Sequence, residues 1–176
     1  MHKRFFMYFS FALTVAILIA VLKIINWIPM TIQRDEMRRY RNVEEIKSKL
    51  NIKDIYVPAY FPEHFSWPPS EILAQKKPFL AVIMQFKYKG RGDVALIVSQ
   101  ADARANFIPR HKIRPLEIKE RVWYSIKGRE GELVVGVCEN NEPCSQISWD
   151  EGKYRINVIA KYPPLEVIKI AESMLH

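Results

Sequence analysis

The chain holds few of the residues that announce an activity: 2 cysteines, 4 histidines and 6 glycines in 176 residues. The histidines, His2, His64, His111 and His176, stand apart, so no pair has metal-ligand spacing. No serine or cysteine sits in a nucleophile elbow. The single Gly-x-Gly, Gly90-Arg91-Gly92, is not followed by a helix-opening Lys-Ser or Lys-Thr. A phosphate loop is therefore excluded, and a hairpin turn accounts for both glycines. Carboxylates such as Glu117 and Glu120 read as solvated surface, since pairing across a cleft leaves no mark in sequence. Runs of five or six like charges, internal repeats and low-complexity segments are all missing. The expectation is a protein that is not an enzyme, with no cofactor, no metal and no catalytic residue.

What is present begins with a long apolar run, Phe5 to Ile28. Its length suits a helix crossing a hydrocarbon core of roughly 30 Å. It is apolar on all sides, as a bilayer requires. Lys23 can snorkel, Trp27 suits the interface, and Pro29 stops the helix. The run is long for a cleaved signal peptide, and Lys-Ile-Ile-Asn-Trp-Ile offers no small-x-small site. No cysteine lies in or just after it, so lipidation there is excluded. The predicted organisation is a head at 1–4, an anchor at 5–29, a juxtamembrane linker at 30–41 and a domain at 42–176.

Orientation draws on opposed signals. Arg34, Arg38, Arg39 and Arg41 after the run favour a cytoplasmic domain by count. The basic head Lys3-Arg4, the dilution of the arginines by Asp35 and Glu36, and the cysteines favour a domain outside the cytoplasm, which is the reading adopted. Net charge is +8. It fits anionic partners such as nucleic acid or lipid headgroups, but the basic residues are scattered as on a solvated surface, and nucleic acid is not the expected partner.

Within the domain, Asn42 caps a short helix with Glu45 three residues on and Val43, Ile46 and Leu50 as its apolar stripe. Ile55 to Phe65 contains Pro58 and Pro62, which bar a helix and a central strand. Ser70 to Gln75 reads as one helical turn. Leu80 to Tyr88 and Val94 to Ser99 alternate with period two around Gly90-Arg91-Gly92-Asp93, a hairpin apolar on both faces and hence central. Ala101 to Pro115 is an irregular crossover. Strands follow at Arg121–Ile126, Glu132–Cys138, Ser145–Trp149 and Lys153–Ala160. Pro164 opens a final helix with Leu165, Ile168, Ala171 and Leu175 at helical spacing. The sum is α+β: an N-terminal transmembrane helix, then a curved antiparallel sheet of about six strands with a C-terminal helix packed on it.

Cys138 and Cys144 flank Glu139-Asn140-Asn141-Glu142-Pro143, a turn between two strands. A hairpin mouth brings such thiols close, and two lone cysteines suit one structural disulfide in an oxidising compartment. The aromatics Tyr60, Phe61, Phe65, Trp67, Trp123 and Trp149 could line a pocket for an apolar ligand or fill the core of a half-open sheet.

Val57-Pro58-Ala59-Tyr60-Phe61-Pro62-Glu63-His64-Phe65, the Gln85–Gln100 hairpin, Ile147-Ser148-Trp149-Asp150-Glu151-Gly152-Lys153-Tyr154 and Val167-Ile168-Lys169-Ile170-Ala171-Glu172-Ser173-Met174 carry a resemblance. Over most of Val57 to Leu175 the chain resembles a bacterial membrane-anchored domain family of unknown function. That family also occurs at the extracytoplasmic end of some anti-sigma-factor proteins and is distantly similar to lipoprotein-carrier sheets. The resemblance implies a bacterial inner-membrane protein with a periplasmic or extracellular domain, and no catalytic residues. With residues 1–4 alone ahead of the anchor, a sigma-binding domain is not expected. The functional expectation is a single-pass, non-catalytic envelope module that binds a protein or an apolar or anionic ligand. The alternative is a cytoplasm-facing domain that binds anionic lipid or nucleic acid.

Overall fold

A computed structural model describes residues 13–23, 37–105, 107 and 113–175. The chain divides into two compact units, Met1–Met37 and Arg38–His176. In the first, residues 13–23 form helix α1 with its apolar side chains exposed, Leu18 at 61%. The rest of the expected anchor, residues 5–12 and 24–29, lies outside the described residues. Among the described residues no helix is long and apolar enough to cross a membrane.

The second unit is α+β, built on one antiparallel sheet. Its strands are β1 (Arg38–Tyr40), β2 (Glu71–Gln75), β3 (Ala81–Lys87), β4 (Val94–Asp102), β5 (Glu117–Ile126), β6 (Arg129–Val137), β7 (Pro143–Glu151) and β8 (Tyr154–Ala160). They lie in the order β1-β2-β3-β4-β8-β7-β6-β5. Two meanders thus meet along β4 and β8, in the register Val98↔Val158. The sheet has eight strands where sequence predicts about six. The two extra are β1, inside the predicted linker, and β2, predicted as a helical turn. Pairing explains both: Arg39 lies opposite Leu73, and Ile72 opposite Met84, so the β3 edge templates two short segments that show little strand pattern alone.

The predicted hairpin is central, as its two apolar faces require. Val82, Met84, Phe86, Leu96 and Val98 point into the main core, while Ile83 and Ile97 are buried on the opposite face. The β5–β6 turn, Lys127-Gly128, has positive φ at both residues (47° and 83°), the type I′ geometry that matches strand twist. The crossover after β4 lies partly outside the described residues.

Two helices pack on the sheet. α2 (Val43–Leu50) is capped as expected: Asn42 accepts from the Glu45 amide at 2.8 Å. The Glu45 carboxylate reaches back to the Arg41 amide rather than that of Asn42. Ile46 is fully buried, and α2 packs on β1 and β2. α3 (Pro164–Glu172) packs on β7, β8 and β5 through Val167, Ile168, Ile170 and Ala171. Leu165, predicted in its apolar stripe, is 71% exposed, because at helical spacing it shares the outer face with Lys169, away from the arc of Val167, Ile168, Ile170 and Ala171. At the mouth of the β6–β7 hairpin, Cys138 and Cys144 form the disulfide, with Cα atoms 5.2 Å apart.

Candidate functional site

The six candidate aromatics do not converge on one pocket. Phe65 and Trp149 are buried in the core. Phe61 is half-buried, its ring 5.0 Å from that of Phe86 and 5.1 Å from that of Trp67. Tyr60 is exposed and its hydroxyl donates to Glu166 at 3.0 Å, an interaction that raises the phenol above its ordinary pKa. Trp123 stands on the outer strand β5, 78% exposed. Only Trp67, 57% exposed, lines the principal cleft. A second aromatic group fills the core edge: His64 stacks on Tyr162 at 4.5 Å beside Phe65 and Tyr88. Tyr88 donates to the Lys161 carbonyl at 2.7 Å, and burial pushes its phenol up to about 12.

The cleft measures about 670 Å³, within the range of small-molecule sites. Its apolar wall comes from Val43 on α2, Ile55 and Val57 in the extended segment, Trp67-Pro68-Pro69, Ile72 on β2, and Met174 and Leu175 beyond α3. The sequence folds this way for separable reasons. Pro58 and Pro62 keep the 53–62 segment out of the sheet, so it lies across the core instead. The Trp67–Pro68 bond is cis. The Asn42 cap fixes where α2 begins and thereby places Val43 at the rim.

The polar rim carries Arg41, Lys47, Lys53 and Arg129 against Glu44, Asp54 and Glu151, one cation in excess. Arg129 grips Glu151 with two nitrogens, one contact from Nη2 to Oε1 at 3.0 Å, and this hydrogen bonding raises the guanidinium pKa. Arg129 is thereby neutralised as a ligand group. Tyr56, between them and the apolar wall, is raised chiefly by burial. The side chains of Arg41, Lys47 and Lys53 have no ion pair among the described residues. At the helix N-terminus by the rim, Asn42 accepts from the Glu45 amide and the Glu45 carboxylate accepts from the Arg41 amide just ahead of the cap. Chemically, the cleft offers apolar contact with a mixed, mildly cationic border. Among the described residues no group of three or more His, Cys, Asp or Glu could hold a metal ion.

Sequence reasoning singled out none of Arg41, Lys47, Lys53, Arg129 and Glu151 for the site. Each looks like an ordinary surface charge, and only the packing of distant segments sets them around one opening. No family model matches the chain, and no curated protein or solved structure matches it either.

Proposed function

We propose that this chain is a membrane-anchored, non-catalytic binding module of the cell envelope, with its domain outside the cytoplasm and its cleft as the ligand site. The observation that carries the reading is the cleft: about 670 Å³, with an apolar wall and a polar rim. That wall favours an apolar or amphiphilic ligand, or an apolar segment of an envelope protein, over a fully solvated metabolite. The Cys138–Cys144 disulfide supports an oxidising compartment. The exposed apolar side chains of residues 13–23 support an anchor there. The alternative, a cytoplasm-facing domain on anionic lipid or nucleic acid, rests on the +8 charge. In a reducing compartment the disulfide would not persist, which favours the first reading.

The test is photolabelling of membranes carrying the full chain with a small apolar diazirine probe, followed by peptide mapping. Label is expected on peptides covering 53–57 and 67–72. Trp67→Glu, at a position 57% exposed whose ring also rests on Phe61 and Phe86, is expected to cut that label about tenfold, the equivalent of roughly 1.4 kcal/mol. Label spread evenly over the surface, unchanged by Trp67→Glu, would contradict the reading.

A further inference from the structure

The sheet ends in two edges of opposite character. At one end β1 is three residues long and begins Arg38-Arg39, a short charged edge of the kind that resists further pairing. At the other, β5 runs ten residues, and no described strand pairs with its outer side. The first half of β5 is guarded. It carries Glu117, Lys119, Glu120 and Arg121, and its pairing with β6 is interrupted by a bulge between Ile118 and Glu120. The second half, Val122-Trp123-Tyr124-Ser125-Ile126, has no charge, no proline and no bulge. Trp123 there is 78% exposed, and Ile118 beyond the bulge is 52% exposed. An uncharged, regular edge of β-branched and aromatic residues is a template for another strand.

We propose that β5 is an isologous interface: two copies of this chain pair β5 to β5, antiparallel, about a twofold axis at Val122. The pleat and the charges select that register. In an antiparallel pair, residues opposite one another share a face, so the axis must pass through a residue. An axis at Glu120 opposes two carboxylates and sets Lys119 against Arg121. An axis at Arg121 opposes two guanidinium groups. Like charges directly opposite are unfavourable. An axis at Val122 is the first that opposes none. Each Val122 then meets its copy, each Arg121 meets Trp123 of the second copy, and each Glu120 meets Tyr124. A guanidinium over an indole face is a favourable pair, and a phenol can donate to a carboxylate. Moving the axis on to Trp123 also opposes no like charges, but it sets Arg121 against Ser125 and Glu120 against Ile126, so both favourable pairs are lost. Arg121 already pairs with Glu132 at 2.7 Å across β5–β6, yet its side chain remains 56% exposed and open to an indole. The self-complementary register is the reason to assign a second copy rather than a foreign strand. One strand pair buries less than the roughly 1,200 Å² of a stable interface, so the association is reversible.

The test uses the full chain with a cysteine at Val122, the one position that meets itself. Both natural cysteines are in the disulfide, so the new thiol is the only one free. A short bis-maleimide is expected to give a covalent homodimer of Val122→Cys, and about tenfold less of Ser125→Cys, which meets Lys119 instead. Adding Trp123→Lys, which sets a lysine against Arg121 at an exposed site, is expected to cut the Val122→Cys dimer about tenfold. Sedimentation of the unmodified full chain in detergent provides a reading free of the cysteine change. A concentration-dependent dimer that Trp123→Lys abolishes supports the pairing. Equal cross-linking at both cysteines, cross-linking of Val122→Cys to a different protein, or a chain that sediments as a monomer at high concentration would each overturn it.

Discussion

Phe86→Ala is expected to destabilise the Arg38–His176 unit by about 3–5 kcal/mol, the range for removing a buried aromatic ring. Phe86 is fully buried on the core face of β3. Its ring lies 5.0 Å from that of Phe61 and 6.1 Å from that of Trp67. Those two rings belong to the irregular 53–70 stretch, which has few ladder hydrogen bonds of its own. The substitution therefore removes transfer energy, leaves a void, and takes away the support under one wall of the cleft. A midpoint shift of roughly 10–20 °C is expected in thermal unfolding. The cleft should suffer first, so hydrogen exchange in 55–70 should rise before exchange in β7 and β8. A loss below about 1 kcal/mol would mean that the extended segment does not rest on Phe86.

Gly136→Ala is expected to cost about 3 kcal/mol, at the upper end for overpacking, because the obstacle is backbone. A Cβ at Gly136 would overlap the Glu117 carbonyl oxygen and approach the Glu117 carbon to 3.2 Å and the Ile118 Cα to 3.3 Å. No rotamer change relieves this; the start of β5 must move away from β6. The site is next to the bulge between Ile118 and Glu120, where the two strands come together unevenly. Denaturant unfolding gives the magnitude, and hydrogen exchange confined to 117–121 gives the location. Gly92→Ala is the internal comparison: a Cβ there meets nothing within 4 Å. Equal stability of the two variants would contradict this account of Gly136.

The parts of the fold legible in sequence are those fixed by local patterns. Period two marks β3, β4 and β8, Pro164 and the spacing after it mark α3, and two lone cysteines around a turn mark the disulfide. β1 and β2 escape for a physical reason. Glu71-Ile72-Leu73-Ala74-Gln75 is made mainly of good helix formers, and its strand state exists only through pairing with β3. Arg38-Arg39-Tyr40 has too few residues to show a period. The joining of β4 to β8 is invisible because it depends on a crossover and not on any residue in either strand. The candidate site was legible at one position, Trp67. Aromatic residues advertise burial but not where it happens, and Phe65, Trp149 and Trp123 end in the core and on the far edge. The cleft is assembled from segments more than a hundred residues apart, from Arg41 to Leu175.

The central claim is a tethered domain working outside the cytoplasm, and its orientation can be read from one engineered thiol. Gly92 lies exposed in the β3–β4 turn with open space around it, so Gly92→Cys should fold as the native chain does. The native cysteines are paired and buried and will not react. Intact cells carrying this variant would be treated with a membrane-impermeant maleimide, and labelling compared before and after lysis. Full labelling before lysis is the expected result. Labelling only after lysis would contradict the account and favour the cytoplasm-facing alternative.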